Sequence, residues 1–237
     1  RYLNTDTEIN ERTFLKESEY FKVWSYDYRF FRNIINFARA NSIPVRGLNL
    51  DKEIVSDVFR SGSTDNLETT TLHSLPRERN LDMAGYRERL TAMHDIHMQS
   101  GHGGGNTGGF IQAQGLWDES MAENIANYLK THPGKKMIVL AGSQHTRKDS
   151  GIPPRVKRRI DIEQSSVLNI DGASDRTNLK KVADYFFISV SDELPKSPKI
   201  GIVLATAAKD NREFLKISQI SPHGKAGEAG LQVGDIL

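Results

Sequence analysis

Residues 112–155 read QAQGLWDESMAENIANYLKTHPGKKMIVLAGSQHTRKDSGIPPR, and the order of elements in that run decides the fold. Gln114, Trp117, Met121, Ile125 and Leu129 recur at steps of three and four, which predicts a helix from Phe110 to Lys130 with one buried side. Pro133-Gly134 punctuates it. Met137 to Ala141 is a short apolar run, read as a strand bounded by turn residues. A Gly-Ser turn follows and carries His145. Open α/β sheets place their sites at strand ends of this kind.

Working outward, Phe21, Trp24, Tyr28, Phe31 and Ile35 mark one face of a helix to about Ala40. Ile43 to Asn49 reads as a strand with its Pro near the start, where a missing N–H is tolerated. A helix from Lys52 to Arg60 and a loop from Ser61 to Thr71 come next. Leu81 to Met98 is helical in pattern, with Tyr86, Leu90, Met93 and His97 on one stripe. Six of the nine residues from Gly101 to Gly109 are glycine, the composition of a mobile loop. Ser166 to Ile170 and Tyr185 to Val190 are two further apolar strands around a helical stretch near Leu179. The alternation predicts an α/β fold: a mostly parallel sheet flanked by helices. Residues 194–198, LPKSP, read as a linker after a domain of residues 1–193. Residues 199–237 form a smaller β-rich piece with strands at Ile200 to Ala205 and Phe214 to Ile220.

Composition sets broad limits. The 237 residues are enough for one sizeable domain and a small one, and 37% of them are hydrophobic. A net charge of +2 gives no case for a general nucleic-acid binder. With no cysteine, thiolate ligands, disulfides and cysteine nucleophiles are excluded.

Gln114, Asp118 and Met121 fall at i, i+4 and i+7 and so share a helix face. Burying such polar groups unpaired costs about 1–3 kcal/mol each, so they need partners or a cavity. If the two strands run parallel, Asn49 and His145 emerge at one sheet edge opposite Gln114 and Asp118. That would be a pocket of an imidazole, a carboxylate and two amides. The plainer alternative is a set of satisfied polar groups at a domain edge. His94 and His97 stand one turn apart with His102 in the glycine loop. They suit a shared metal less well than an exposed helix end, since no supporting carboxylate pattern accompanies them.

The runs AQGLWDESMA (113–122), VLAGSQH (139–145) and GIPPR (151–155), with FARANSIPVRGLNL (37–50), together resemble the ChaN-like haem-binding family. That family lies in a wider group including erythromycin esterase-like and Tiki-type proteins. The resemblance implies a haem-binding, iron-acquiring lipoprotein of the bacterial cell envelope. It also implies opening strands bearing Gly-Glu, His and Glu-Met, and the chain reads as N-terminally truncated just after them. For haem, the expected contacts are Asn49, Gln114, Asp118, His145, Arg155, Tyr86, His97 and His102, with Arg155 toward propionates. Tyr86 and His97 are 11 residues apart, roughly 16 Å along a helix, so together they would serve one iron only across a homodimer. Tyr86 has the alternative of a core aromatic. A related branch implies a hydrolase instead, with His145 as general base and Asp118 orienting it or holding a metal. Residues 199–237, ending SPHGKAGEAGLQVGDIL, resemble the first half of a PDZ domain. Complete, such a module would bind a C-terminal peptide.

Overall fold

A computed structural model describes residues 10–24, 26–99, 106–171, 179–189, 200–209, 212–220 and 225–237. The chain separates into two compact units, Arg1–Ser189 and Val190–Leu237.

The first unit is organised around one long helix. Its described elements are α1 (Glu11–Glu17), α2 (Tyr20–Val23), α3 (Arg32–Ala40), α4 (Lys52–Ser61), α5 (Thr69–Ser74), α6 (Tyr86–Gln99), α7 (Thr107–Thr131), α8 (Ile152–Arg159), β1 (Val167–Asp171), α9 (Leu179–Val182) and β2 (Tyr185–Ser189). The 25-residue α7 starts where Asn106 caps it, its side chain accepting from the Gly109 N–H. It is buried on several sides, and Asp118, Glu119 and Ser120 are buried with its apolar residues. Leu116 packs with Val58 of α4 and Leu75. Phe110 and Ile111 pack with Tyr86 and Leu90 of α6. Met121, Ala122 and Ile125 pack with Ile152 and Val156 of α8. Small residues make the crossings close: a side chain at Gly109 would meet the Phe59 carbonyl, and one at Gly115 the Leu81 side chain.

β1 and β2 pair in parallel, with Val167 opposite Tyr185 and Asp171 opposite Ser189. This two-stranded sheet is smaller than the mostly parallel sheet the sequence predicts. The expected strands Ile43–Asn49 and Met137–Ala141 are extended but not strands, because their backbones form no ladder with another described residue. Both still lie on the α7–α8 core: Leu48, Met137, Val139 and Ala141 pack against it, and Asn124 donates to the Leu48 carbonyl at 2.8 Å. Burial along the second stretch has period two, with Ile138 (90% exposed) and Leu140 facing out. The fold is therefore a mixed α/β arrangement of helices and a small sheet.

The predicted helix Phe21–Ala40 is broken. Trp24 ends α2, and Asp27 caps a 3-10 turn at Tyr28–Phe30 by accepting from the Arg29 N–H. Edge-to-face rings fold the break back on itself: Tyr20 on Tyr28 at 5.2 Å and Trp24 on Phe31 at 4.5 Å. α6 begins only at Tyr86, after Gly85 at φ +73. α5 occupies the end of the stretch expected to be a loop.

The second unit pairs β3 (Ile202–Lys209) with β4 (Arg212–Ile220) antiparallel, with a bulge between Val203 and Leu204. A short helix, α10 (Lys225–Glu228), follows. Its Ala226 N–H donates to the Ile200 carbonyl, and Lys216 bridges to Ile236. Among its described residues Ile217 and Ala226 are the buried side chains. The linker at 194–198 lies outside the described residues, and a PDZ module is not shown by these elements alone.

Candidate functional site

The site stands where α6, α7 and the turn before α8 meet. Asp118, 2% exposed, points from the middle of α7. One carboxylate oxygen pairs with His145 Nδ1 at 2.6 Å. The other accepts from the Tyr86 hydroxyl at 2.8 Å. Paired with a carboxylate, Nδ1 is the donor of this contact, and Nε2 is the ring position turned away from it. Nε2 makes no hydrogen bond with a described residue and is not among the buried unpartnered atoms, so it reaches solvent. The His145 side chain is 21% exposed, and the Trp117 ring stands edge-on to it at 6.1 Å.

Backbone geometry holds His145 in place. Its N–H donates to the Gly142 carbonyl and its carbonyl accepts from the Ile152 N–H at 2.7 Å. That second contact needs Gly151, where any Cβ would meet the carbonyls of His145 and Arg147. Pro153 and Pro154 then open α8 in its first turn, where backbone N–H groups have no helical partner to lose. Arg89 braces the loop from α6, donating to Gln144 at 3.0 Å and Ser150 at 3.2 Å.

Beneath the pair lies a buried charge network. Arg155 is fully buried, 4.5 Å from the centre of the Tyr86 ring and 3.8 Å from Asp118. It donates to Glu119 and to the carbonyls of Ser150, Gly151 and Asn80. Glu119, also fully buried, takes Arg158 and Arg159 on its other oxygen and the Asn80 N–H beside Arg155. Burial alone would raise the Glu119 pKa; the hydrogen bonds from Arg158, Asn80 and Arg159 with the Arg155 charge hold it below its ordinary value instead. Tyr86 goes the other way. Burial first, then the Asp118 charge, raise its pKa, so the hydroxyl stays protonated as a donor.

The structure thus joins Asp118 and His145, as the sequence predicts, and adds Tyr86. It does not bring the two amides to them. Asn49 is exposed, and its side chain accepts from the next backbone N–H. Gln114 is half-buried and has no hydrogen bond to the pair. Tyr86 is 0% exposed, in keeping with the core aromatic that the sequence offers as the alternative to a ligand. Arg155 is likewise a buried strut, its guanidinium spent internally rather than offered to a propionate. His97 is exposed and lies edge-on to Phe110 at 6.0 Å; His102 lies outside the described residues. Sequence reasoning missed Arg89 and Glu119. Arg89 follows Tyr86 by one turn, and Glu119 adjoins Asp118, with Arg155 within reach of both carboxylates; neither position carries a motif of its own.

Among the described residues no group of three or more His, Asp or Glu side chains could hold a metal ion. No helix among them is long and apolar enough to cross a membrane. A surface depression of about 600 Å³ lined by Lys157, Ile162, Glu163, Gln164 and Ser165 shares no residue with the site.

The model of a family described as haem-binding uptake, Tiki superfamily, ChaN matches residues 1–156. A solved structure described as cofacial heme binding to ChaN of Campylobacter jejuni is similar over 75% of this chain, with 18% identity and a TM-score of 0.52. At that identity the likeness is one of fold, and the match spans 62% of that protein's length. No curated protein matches the chain.

Proposed function

The chain belongs to the ChaN family of the haem-binding uptake, Tiki superfamily, and from that membership we propose that it binds haem in the service of iron acquisition. The observation that carries the reading is the family match over residues 1–156. The fold likeness to a ChaN structure supports it. So does the donor set: a haem iron asks the protein for an axial nitrogen, oxygen or sulfur donor, and His145 holds one ring nitrogen toward solvent, with the Trp117 ring roughly perpendicular to its own at 6.1 Å. A single oriented imidazole suits an iron already held by a porphyrin better than a bare ion, which needs several protein ligands. His97 is a second exposed imidazole, on α6.

Family membership also motivates a place in the bacterial cell envelope and assembly as a homodimer around the ligand. The 199–237 piece we read as PDZ-like, a candidate receiver for a C-terminal peptide. Titration of the purified chain with haemin tests the main reading. A saturable Soret shift is expected; its absence removes the proposal. Sedimentation of the loaded protein against the free protein tests the dimer.

One observation favours a second reading. A carboxylate 2.6 Å from an imidazole is also the arrangement of a general base. On that reading His145 activates water against an ester or peptide. Turnover in a substrate screen that vanishes in His145→Ala would support it, and turnover unchanged in that variant would refute it.

A further inference from the structure

The short helices at the start of the first unit leave a run of large apolar side chains in water. Phe21, Trp24, Tyr26, Phe30, Ile34 and Phe37 are all exposed, Tyr26 by 65% and Phe37 by 61%. Ring contacts join the first three. Tyr20 touches Phe21 at 5.2 Å and Trp24 at 6.1 Å, and Trp24 stands edge-on to Tyr26 at 6.3 Å and to Phe31 at 4.5 Å. Phe31 caps α3, so the ring cluster runs directly into that helix. There Ile34 and Phe37 fall at i and i+3 and share one side, while Ala38 is buried against the protein. Single exposed apolar residues are ordinary, but a continuous run marks a contact with a protein or a membrane.

Charge decides between those partners. From Tyr28 to Leu50 the chain has no Asp or Glu and carries Arg29, Arg32, Arg39 and Arg46. The nearest acids are already engaged: Asp27 pairs with Arg29 at 2.7 Å, and Glu11 with Arg32 at 2.8 Å. Over residues 11–46 there are seven Lys or Arg against four Asp or Glu. A second copy laid face to face about a two-fold axis would set this basic segment against its own image, which costs free energy. An anionic lipid surface attracts the same segment and accepts Trp, Tyr and Phe where headgroups meet acyl chains. We propose that this aromatic face docks the protein on an anionic lipid bilayer. The nine residues of α3 extend roughly 14 Å, against a hydrocarbon core of about 30 Å, so the helix lies along the surface and does not span it. Docking of this kind requires no bound haem.

The test mixes the full chain with vesicles of phosphatidylglycerol and phosphatidylcholine, or of phosphatidylcholine alone, and reads flotation and tryptophan fluorescence. Flotation with the anionic vesicles is expected, weakened by added salt, with a blue shift in emission that is absent in Trp24→Phe. Phe37→Ser removes one exposed ring and is expected to weaken binding about tenfold. Phe21→Ser, on α2, is expected to act in the same direction and keeps the proposal falsifiable if Phe37→Ser fails to fold by circular dichroism. Absence of flotation with anionic vesicles overturns the proposal, as does equal, salt-independent binding to both kinds of vesicle. Self-association without lipid that Phe37→Ser abolishes gives the face to a second copy and also overturns it. Haemin titration of Phe37→Ser is expected to match the wild type; haemin binding lost in a folded variant makes the face part of the haem seat and overturns membrane docking. Failure of the wild-type chain to bind haemin, with flotation intact, removes the haem reading and supports this one.

Discussion

Two single residues decide whether the imidazole at 145 stays where it is. Asp118 fixes its ring, and Gly151 lets the chain pass close enough to hold its backbone. Gly151→Ala sets a methyl group against two carbonyl oxygens that cannot swing aside. We expect it to destabilise the fold by about 1–3 kcal/mol, as overpacking does, and to weaken haemin binding together with stability; thermal melts and titration check both. At this scale much was legible. Asp118 and His145 are 27 residues apart in sequence, yet helical phase and the turn after the apolar run pointed both to one place. Asn49 was not legible in the same way. Its prediction assumed a ladder that would have set its register, and an extended stretch with no ladder partner among the described residues leaves its side chain to its own backbone. Tyr86 was placed on the right stripe, but sequence phase does not tell how deeply a stripe is buried.

Among the elements, the contact of α7 with α8 carries the largest electrostatic stake. Glu119 is fully buried with Arg155 beside it, and Arg158 and Arg159 on its other oxygen. Glu119→Ala strands a buried guanidinium and is expected to cost about 3–5 kcal/mol, read by chemical denaturation. The pH dependence has a definite sign. The Glu119 carboxyl is held below its ordinary value in the folded state. Its contribution is complete above the unfolded value of about 4.3 and is lost as pH falls through the lower folded value. Between those two values the melting temperature of the wild type should fall more steeply with falling pH than that of Glu119→Gln. The α4–α7 crossing offers a parallel case. Gly109→Ala drives a methyl group into the Phe59 carbonyl and should cost about 1–3 kcal/mol. The Glu119 network has no sequence signature because its basic run, Arg155 to Arg159, reads equally as a solvated face. Depth separates Arg155, which is fully buried, from Lys157, which is exposed.

Across the whole molecule, the two units have separate interiors. The first has three apolar clusters around α7; the second rests on Ile217 and Ala226 among few buried side chains. A piece of that size buries too little surface for much stability of its own. Calorimetry should resolve two transitions, the smaller at lower temperature; one coincident transition would show the units to be coupled. The helix-and-turn scaffold of the first unit was readable from periodicity and punctuation. The sheet was overestimated because a period-two apolar run reports an extended backbone and two faces, not the presence of neighbours.

That overestimate points to a practical hazard. Ile138 and Leu140 face solvent from a stretch whose amides bond to no other described residue, so the ribbon from Lys136 to Ala141 is a ready template for copies of itself. At high concentration the purified chain should drift into thioflavin-positive fibres, and an Ile138→Lys change should lengthen its shelf life.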